Sequence, residues 1–582
     1  MPHSTAPRRW SRLAAPLAVA ALLILVSLPG MLDQVRDVDV LLYSAAAVRS
    51  NAEGALPYVA AWIEKGPLAM GLFQALFAVF GPYNPAAVWC LWLVMALAGA
   101  ALAWGLAAES VGPGAGAQSG RRAGGWAAVL FAVSIGAVGG TLNTEVPATV
   151  AAAAAVLVWC CSRRLALLAG VLVGAAFLCR QNAGILWPLL VVAEGWMAVS
   201  GRRTWREAGA AAAALSGGFL LIVGGTVSLY AATGHLGAFL LCFYSYNAGI
   251  YVAATKVTAA RLLASPLTAA QNFLLPIRTT AVLGVAGMVA ALVAWRGWDG
   301  TMPRIGTGGA DGSAEQRPGA RATAGLVVAA SALVLTASLF IGLRFFTHYF
   351  ALALPFWAAL GGLAVERVSG IAGRVRRPHS AGRIPDRAPS RRLAWGGLII
   401  GSIVALSLGL EVAGRPWRAA AVQTRRWVLS GGLARAGDPL LWPGRDPLAA
   451  KVARWVREHS ASSDRIFVWG TRPHVAAYAL RIPATHFVTC TFLTGLVPWE
   501  RSAPEEDTSR WIVPGSWELL LSDLEVERPL FIVDASQDHL FGDGAYAPGR
   551  FPRLAAILAE RYEPVFEAGE GDRMVVHRRK AP

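Results

Sequence analysis

Apolar stretches such as 13–32, 86–108 and 209–231 run without a single charged side chain. A lipid bilayer needs about 20 such residues in a helix, so segments like these either cross a membrane or lie buried in a large core. Their number decides between the two. We read eleven spanning helices, at 13–32, 86–108, 124–142, 146–162, 165–181, 183–200, 209–231, 272–294, 323–342, 349–366 and 394–412. Only 15% of the 582 residues are charged, which excludes a disordered chain and argues against an ordinary soluble enzyme. The first segment follows Arg8, Arg9 and Arg12 as a signal peptide would. Its long core and the lack of a small-residue cleavage site mark it as an anchor.

The formal charge of +17 could belong to a nucleic-acid binder, but its distribution argues otherwise. Residues 1–412 hold 30 Lys/Arg against 15 Asp/Glu, whereas 413–582 hold 22 against 20. The excess therefore sits among the apolar segments, where basic residues set orientation. The apolar run 67–81 is short and reads as an interfacial helix. With that reading, the segments on one side carry 22 Lys/Arg, and the loops on the other carry seven before the C-terminal region. This places the N-terminus in the cytoplasm and residues 413–582 outside, in a multi-pass membrane protein.

Two domains are expected: a transmembrane unit over 1–412, whose first outer loop spans 33–85, and an outer α/β domain over 413–582. In the latter, 446–459 and 551–562 read as helices, and 465–469 and 529–533 as short buried strands. Six cysteines show no zinc-type spacing and read as small apolar side chains.

Charges at a membrane boundary are costly, so their placement carries information. One face collects Asp37, Asp39, Glu64, Lys65, Glu145, Arg180, Arg344 and His348. Asp37 and Asp39 share a side if their segment is extended, and could then hold a divalent cation or act as a base with a neighbour. Lys65 is one of only four lysines against 48 arginines, and it stands directly before the interfacial helix, at the level of a lipid phosphate. Tyr244, Tyr246, Asn247 and Tyr251 form an aromatic group suited to stacking on a sugar or to an interface belt. A transporter would instead place charges near the bilayer midplane and show repeats, and neither is seen.

At these residues the chain resembles the GT-C superfamily of membrane glycosyltransferases, in the branch of bacterial protein mannosyltransferases and lipid A aminoarabinose transferases. The resemblance rests on Asp39 with Tyr43, Pro57-Tyr58, Lys65-Gly66-Pro67-Leu68 and Phe80-Gly81. Asn143-Thr144-Glu145, Arg180-Gln181, His348-Tyr349-Phe350 with Pro355, and Val468-Trp469-Gly470 add to it. It covers most of 30–370 and, more loosely, the C-terminal domain. The family often has an acid where Val40 stands, a proline at Gly66 and a lysine at Arg180.

The resemblance implies transfer of a sugar from a polyprenyl-phosphate donor at the outer face. The acceptor would be a glycolipid, a polysaccharide or a protein. Asp39 would be the general base, with Asp37 supporting it or binding metal. Lys65, Arg180, Arg344 and His348 would bind the donor phosphate, and Glu64, Glu145, Tyr43 and Tyr58 would support them. A divalent cation is the one cofactor this allows; no P-loop or dinucleotide motif is present.

Overall fold

A computed structural model of the chain describes residues 7–111, 117–254, 257–296, 318–341, 343–376, 406–411, 417–442, 444–496, 506–537 and 545–581. The apolar runs are helices: α1 (Pro7–Asp33), α4 (Pro85–Ser110), α5 (Ala117–Val138), α6 (Glu145–Cys161), α7 (Ala166–Cys179), α8 (Leu186–Val199), α9 (Trp205–Ala232), α12 (Arg278–Arg296), α13 (Pro318–Ser338) and α14 (Leu354–Arg376). Between them lie α2 (Val38–Ala52), α3 (Pro67–Phe80), the short α10 (Leu236–Phe239) and α11 (Ala259–Ala269). Ten of the eleven expected spans thus have a helical counterpart. Most of the eleventh, 394–412, falls outside the described residues. Among the described residues, six helices are long and apolar enough to cross a bilayer. The chain is a multi-pass membrane protein.

Small residues set how closely the helices pack. A Cβ on Gly170 would stand 1.9 Å from the Leu215 carbonyl oxygen, and one on Gly218 would stand 2.0 Å from that of Leu167. Helices α7 and α9 therefore cross backbone to backbone, the usual solution where lipid supplies no hydrophobic drive. This fixes α7, whose two ends carry Arg163 and Arg180.

Past the bundle, α15 (Trp417–Leu429) lies along α1. Trp427 packs on Trp442 at 4.8 Å, and the Trp442 Nε1 donates to the Met31 carbonyl at 3.1 Å. Then come α16 (Pro447–Glu458), β1 (Arg465–Trp469), α17 (His474–Ala479), β2 (Ile482–Pro483), α18 (Thr491–Thr494), α19 (Ser516–Glu527), β3 (Phe531–Gln537), α20 (Pro552–Arg561), β4 (Tyr562–Ala568) and β5 (Arg573–Arg579). The sheet order is β2-β1-β3-β5-β4, with β1 parallel to β2 and β3, and β5 antiparallel to β3 and β4. Both expected helices and both expected strands are present. All six cysteines are free; Cys179, Cys242 and Cys490 are buried, but Cys90 and Cys161 are exposed, against expectation.

The sheet domain grips the loop between α2 and α3. Arg49 is buried and donates to Ala60 O and Pro483 O, both at 2.7 Å, with Glu527 at 3.7 Å. The Trp62 amide donates to His486 O at 2.8 Å. His486 lies 2.9 Å from Asp523 by Nδ1 and 3.0 Å from Val59 O by Nε2. A loop with so many buried polar groups is ordered only because each finds a partner across the interface.

Candidate functional site

The loop after α1 turns straight into α2, and this corrects one expectation. Asp37 and Asp39 are not on an extended segment. Asp37 is the N-cap: its Oδ1 accepts from the Asp39 amide at 2.9 Å and the Val40 amide at 3.2 Å. Its Oδ2 accepts from Thr141 Oγ1 at 2.6 Å and Asn143 Nδ2 at 3.3 Å. A carboxylate offers about four acceptor positions, and all are taken. Burial pushes this carboxyl up, and Asp39 adds to that, while His348 and Thr141 act in the opposite sense. Asp37 therefore fastens the start of α2 to the 141–143 loop and does not fit a metal ligand. Among the described residues, no three His, Cys, Asp or Glu side chains gather in one place.

Asp39 sits in the first turn of α2, where the helix N-terminus favours a negative charge. Its carboxylate is 30% exposed and lies 3.7 Å from His348 Nε2. That is too long for a hydrogen bond, and the two groups stand near van der Waals contact. His348 stacks on Phe346 and meets Tyr349 edge-on at 4.7 Å. The Tyr349 ring in turn lies under the Arg180 guanidinium, 4.3 Å away. Arg180 Nη1 reaches Glu145 Oε1 at 3.2 Å, at the N-terminus of α6.

Tyr43 sits between these groups. It is buried, and its hydroxyl lies within electrostatic reach of Asp39, Lys65, Glu145 and Arg180. Burial, followed by the Asp39 charge, pushes its phenol well up, so it stays a neutral hydroxyl. Lys65 is buried and lies 3.2 Å from Glu64. Lys65 also faces a second group, since Glu64, Thr491, Arg344 and Lys65 all act on the buried Tyr246 hydroxyl.

The backbone around Lys65 is closely held. Tyr58, at a left-handed φ of 72°, donates its hydroxyl to the Lys65 carbonyl. A non-glycine residue in that region stores strain that its surroundings must hold. Tyr58 is thus a positioning residue rather than a ligand. At Gly66 an added Cβ would stand 2.1 Å from Leu178 O and 2.4 Å from Cys179 O. No side chain fits there, which explains glycine where the resemblance has proline. That close approach holds the Lys65 segment against the end of α7.

Of the ten expected site residues, Asp39, Lys65, Glu145 and Arg180 cluster around Tyr43, and His348 stands beside Asp39. Glu64 and Arg344 act on Tyr246, and Asp37 and Tyr58 are structural supports. Sequence reading gave no role to Tyr349, Thr141 or Asn143. It also missed that 240–251 is a π-helix, which aims Asn247 Nδ2 at the Glu64 carbonyl, 2.9 Å away. Alternation between π and α turns leaves little trace in composition; such turns often mark functional sites.

No protein-family model matches the chain, and no curated protein does. Solved structures do. One is ArnT from Cupriavidus metallidurans bound to undecaprenyl phosphate, at 15% identity, covering 98% of each chain with a TM-score of 0.54. Another is the archaeal oligosaccharyltransferase AglB from Archaeoglobus fulgidus in complex with an inhibitory peptide and a dolichol-phosphate. It matches at 11% identity over 98% of this chain and 74% of that one, with a TM-score of 0.51. The likeness is one of fold, and it extends over nearly the whole of this chain.

Proposed function

We propose that the protein is a glycosyltransferase that moves a sugar from a polyprenyl-phosphate donor to an acceptor at the outer face of a bacterial plasma membrane. The N-terminus is cytoplasmic in this reading, and the sheet domain lies outside, as the arginine distribution requires. The observation that carries the proposal is the cluster around Tyr43. There a part-exposed carboxylate, Asp39, and two cations, Lys65 and Arg180, all act on one buried hydroxyl. Both solved structures of this fold hold a polyprenyl phosphate, which supports the donor class.

The chemistry follows from the charges. Asp39 accepts the proton of the acceptor hydroxyl as its oxygen bonds to the anomeric carbon. The bond from that carbon to the phosphate oxygen breaks, and polyprenyl phosphate leaves with the electron pair. Lys65, as a point charge, and Arg180, as a planar fork, stabilise the phosphate as its charge grows. One displacement inverts the anomeric centre. His348 closes the other side of Asp39, and Arg344 serves the phosphate from the Tyr246 side. No step needs a metal.

The test is mass spectrometry of lipids and surface glycans from a strain lacking the protein, beside a reaction of purified protein with a synthetic polyprenyl-phosphate sugar. The expected result is loss of one sugar modification in the strain and its restoration in the reaction. An unchanged glycan profile together with no transfer in the reaction would refute the proposal.

A further inference from the structure

The outer domain contains a cavity of about 360 Å³ that none of the residues around Tyr43 lines. One wall is aromatic: Trp517 at the start of α19 and Phe551 before α20 stack at 6.0 Å with their planes 25° apart. Trp469 braces Phe551 edge-on at 5.2 Å, and Trp517 Nε1 is tied to Leu493 O at 2.8 Å. The platform is therefore held in place. The facing wall is polar and includes Glu506, Asp507, Ser509 and Arg550. It too is held: Thr508 Oγ1 donates to Thr494 O at 2.6 Å, the Ser509 amide to Asp507 Oδ1 at 2.9 Å, and Arg550 to Ala545 O at 2.7 Å.

A fixed aromatic plane opposite carboxylates, a hydroxyl and a guanidinium suits a ligand with a flat C–H face and a rim of hydroxyls. A saccharide is such a ligand. An acyl chain would make no use of the polar rim, and a peptide would make little use of a flat stacking platform. The place of the cavity matters as well. Thr494, at the end of α18, lines it. Two residues earlier, Phe492 packs on Trp62 at 5.7 Å and on Tyr246 at 4.3 Å. Trp62 precedes Glu64 and Lys65, so one short helix separates the cavity from the catalytic loop.

We infer that this cavity is a saccharide-binding subsite for the acceptor, and that the acceptor is a glycan of more than one sugar unit. The word acceptor rests on the transferase reading; saccharide binding does not.

The experiment uses full-length protein in detergent, probed with an array of bacterial surface oligosaccharides and with a peptide library. Binding to undecaprenyl phosphate is measured in parallel as a fold control. The expected result is selective glycan capture. Trp517→Ala weakens it at least tenfold, Asp507→Asn several-fold, and Trp517→Phe, which keeps a platform, much less than Trp517→Ala. Undecaprenyl phosphate binding should stay unchanged in all three. If Trp517→Ala disturbs that control, the exposed Asp507 variant decides. The inference is overturned if no glycan is captured, if only peptides are, or if captured glycans bind the Asp507→Asn protein as well as the parent. Glycan capture lost in these variants, with no sugar transfer by the parent, would sink the transferase reading alone.

Discussion

Helix α7 carries an arginine cluster at each end, and the two are built differently. At its start, Arg163 lies 3.6 Å from Glu194 and 3.2 Å above the Trp159 ring, while Arg203 reaches the same glutamate at 2.6 Å. Glu194 is only 1% exposed. Two cations close on one acid, and the ring covers one of them. At its other end, Arg180 pairs with Glu145, and Lys65 and the part-exposed Asp39 share the surroundings of Tyr43. The first cluster is sealed around Glu194 and holds helices together. The second adds a further cation, Lys65, and a carboxylate, Asp39, that reaches solvent and so can meet a ligand. Buried ion pairs contribute little net stability, so the difference between a closed and an open cluster is informative about use.

The sharpest way to break this comparison is Asp39→Asn. Transfer should fall by about 10²–10⁴-fold, the usual contribution of a general base, without change in thermal midpoint. Lys65→Ala should lower transfer by roughly 10²–10³-fold, with weaker donor binding, because a charge stabilising the leaving phosphate is lost. Gly66→Ala touches no ligand, yet it must push the Lys65 segment off the end of α7. A loss on the order of 10²-fold in kcat is expected for such a displacement. Glu194→Gln strands two arginines at the sealed end. It should cost about 3–5 kcal/mol of stability and lower the yield, while turnover per folded molecule stays the same. If instead Glu194→Gln removed activity without loss of stability, the contrast between the two ends would fail.

The smallest effect lies in the outer sheet. His577 on β5 is half-buried, and burial lowers its pKa from the ordinary 6.5, a shift that Asp534 tempers. The unfolded chain therefore takes up this proton first as pH falls. Stability should drop as pH goes below about 6.5, and His577→Gln should flatten that slope in chemical denaturation.

Much of this site was legible because charge is scarce in the chain. Asp39, Lys65 and Arg180 stood out as rare polar residues at one boundary, and all three act on the Tyr43 hydroxyl. The role of Asp37 was also written in the sequence: an Asp ahead of an apolar run is an N-cap signal, and the two-residue carboxylate spacing hid it. The hairpin of β4 and β5 went unseen because its strands are rich in Glu and Arg. The Gly569-Glu570-Gly571-Asp572 turn between them was the available sign. Nothing local announced the grip of the sheet domain on Arg49 and Trp62, since those contacts join residues more than 400 positions apart.

The central claim is that Asp39 does chemistry while Lys65 and Arg180 hold the phosphate. The most direct measurement pairs donor binding with single-turnover transfer in Asp39→Asn, using a synthetic polyprenyl-phosphate sugar and an accepting glycan. The account predicts donor affinity within about twofold of the parent and transfer reduced by at least about 10²-fold. Transfer at the parental rate in Asp39→Asn would contradict it.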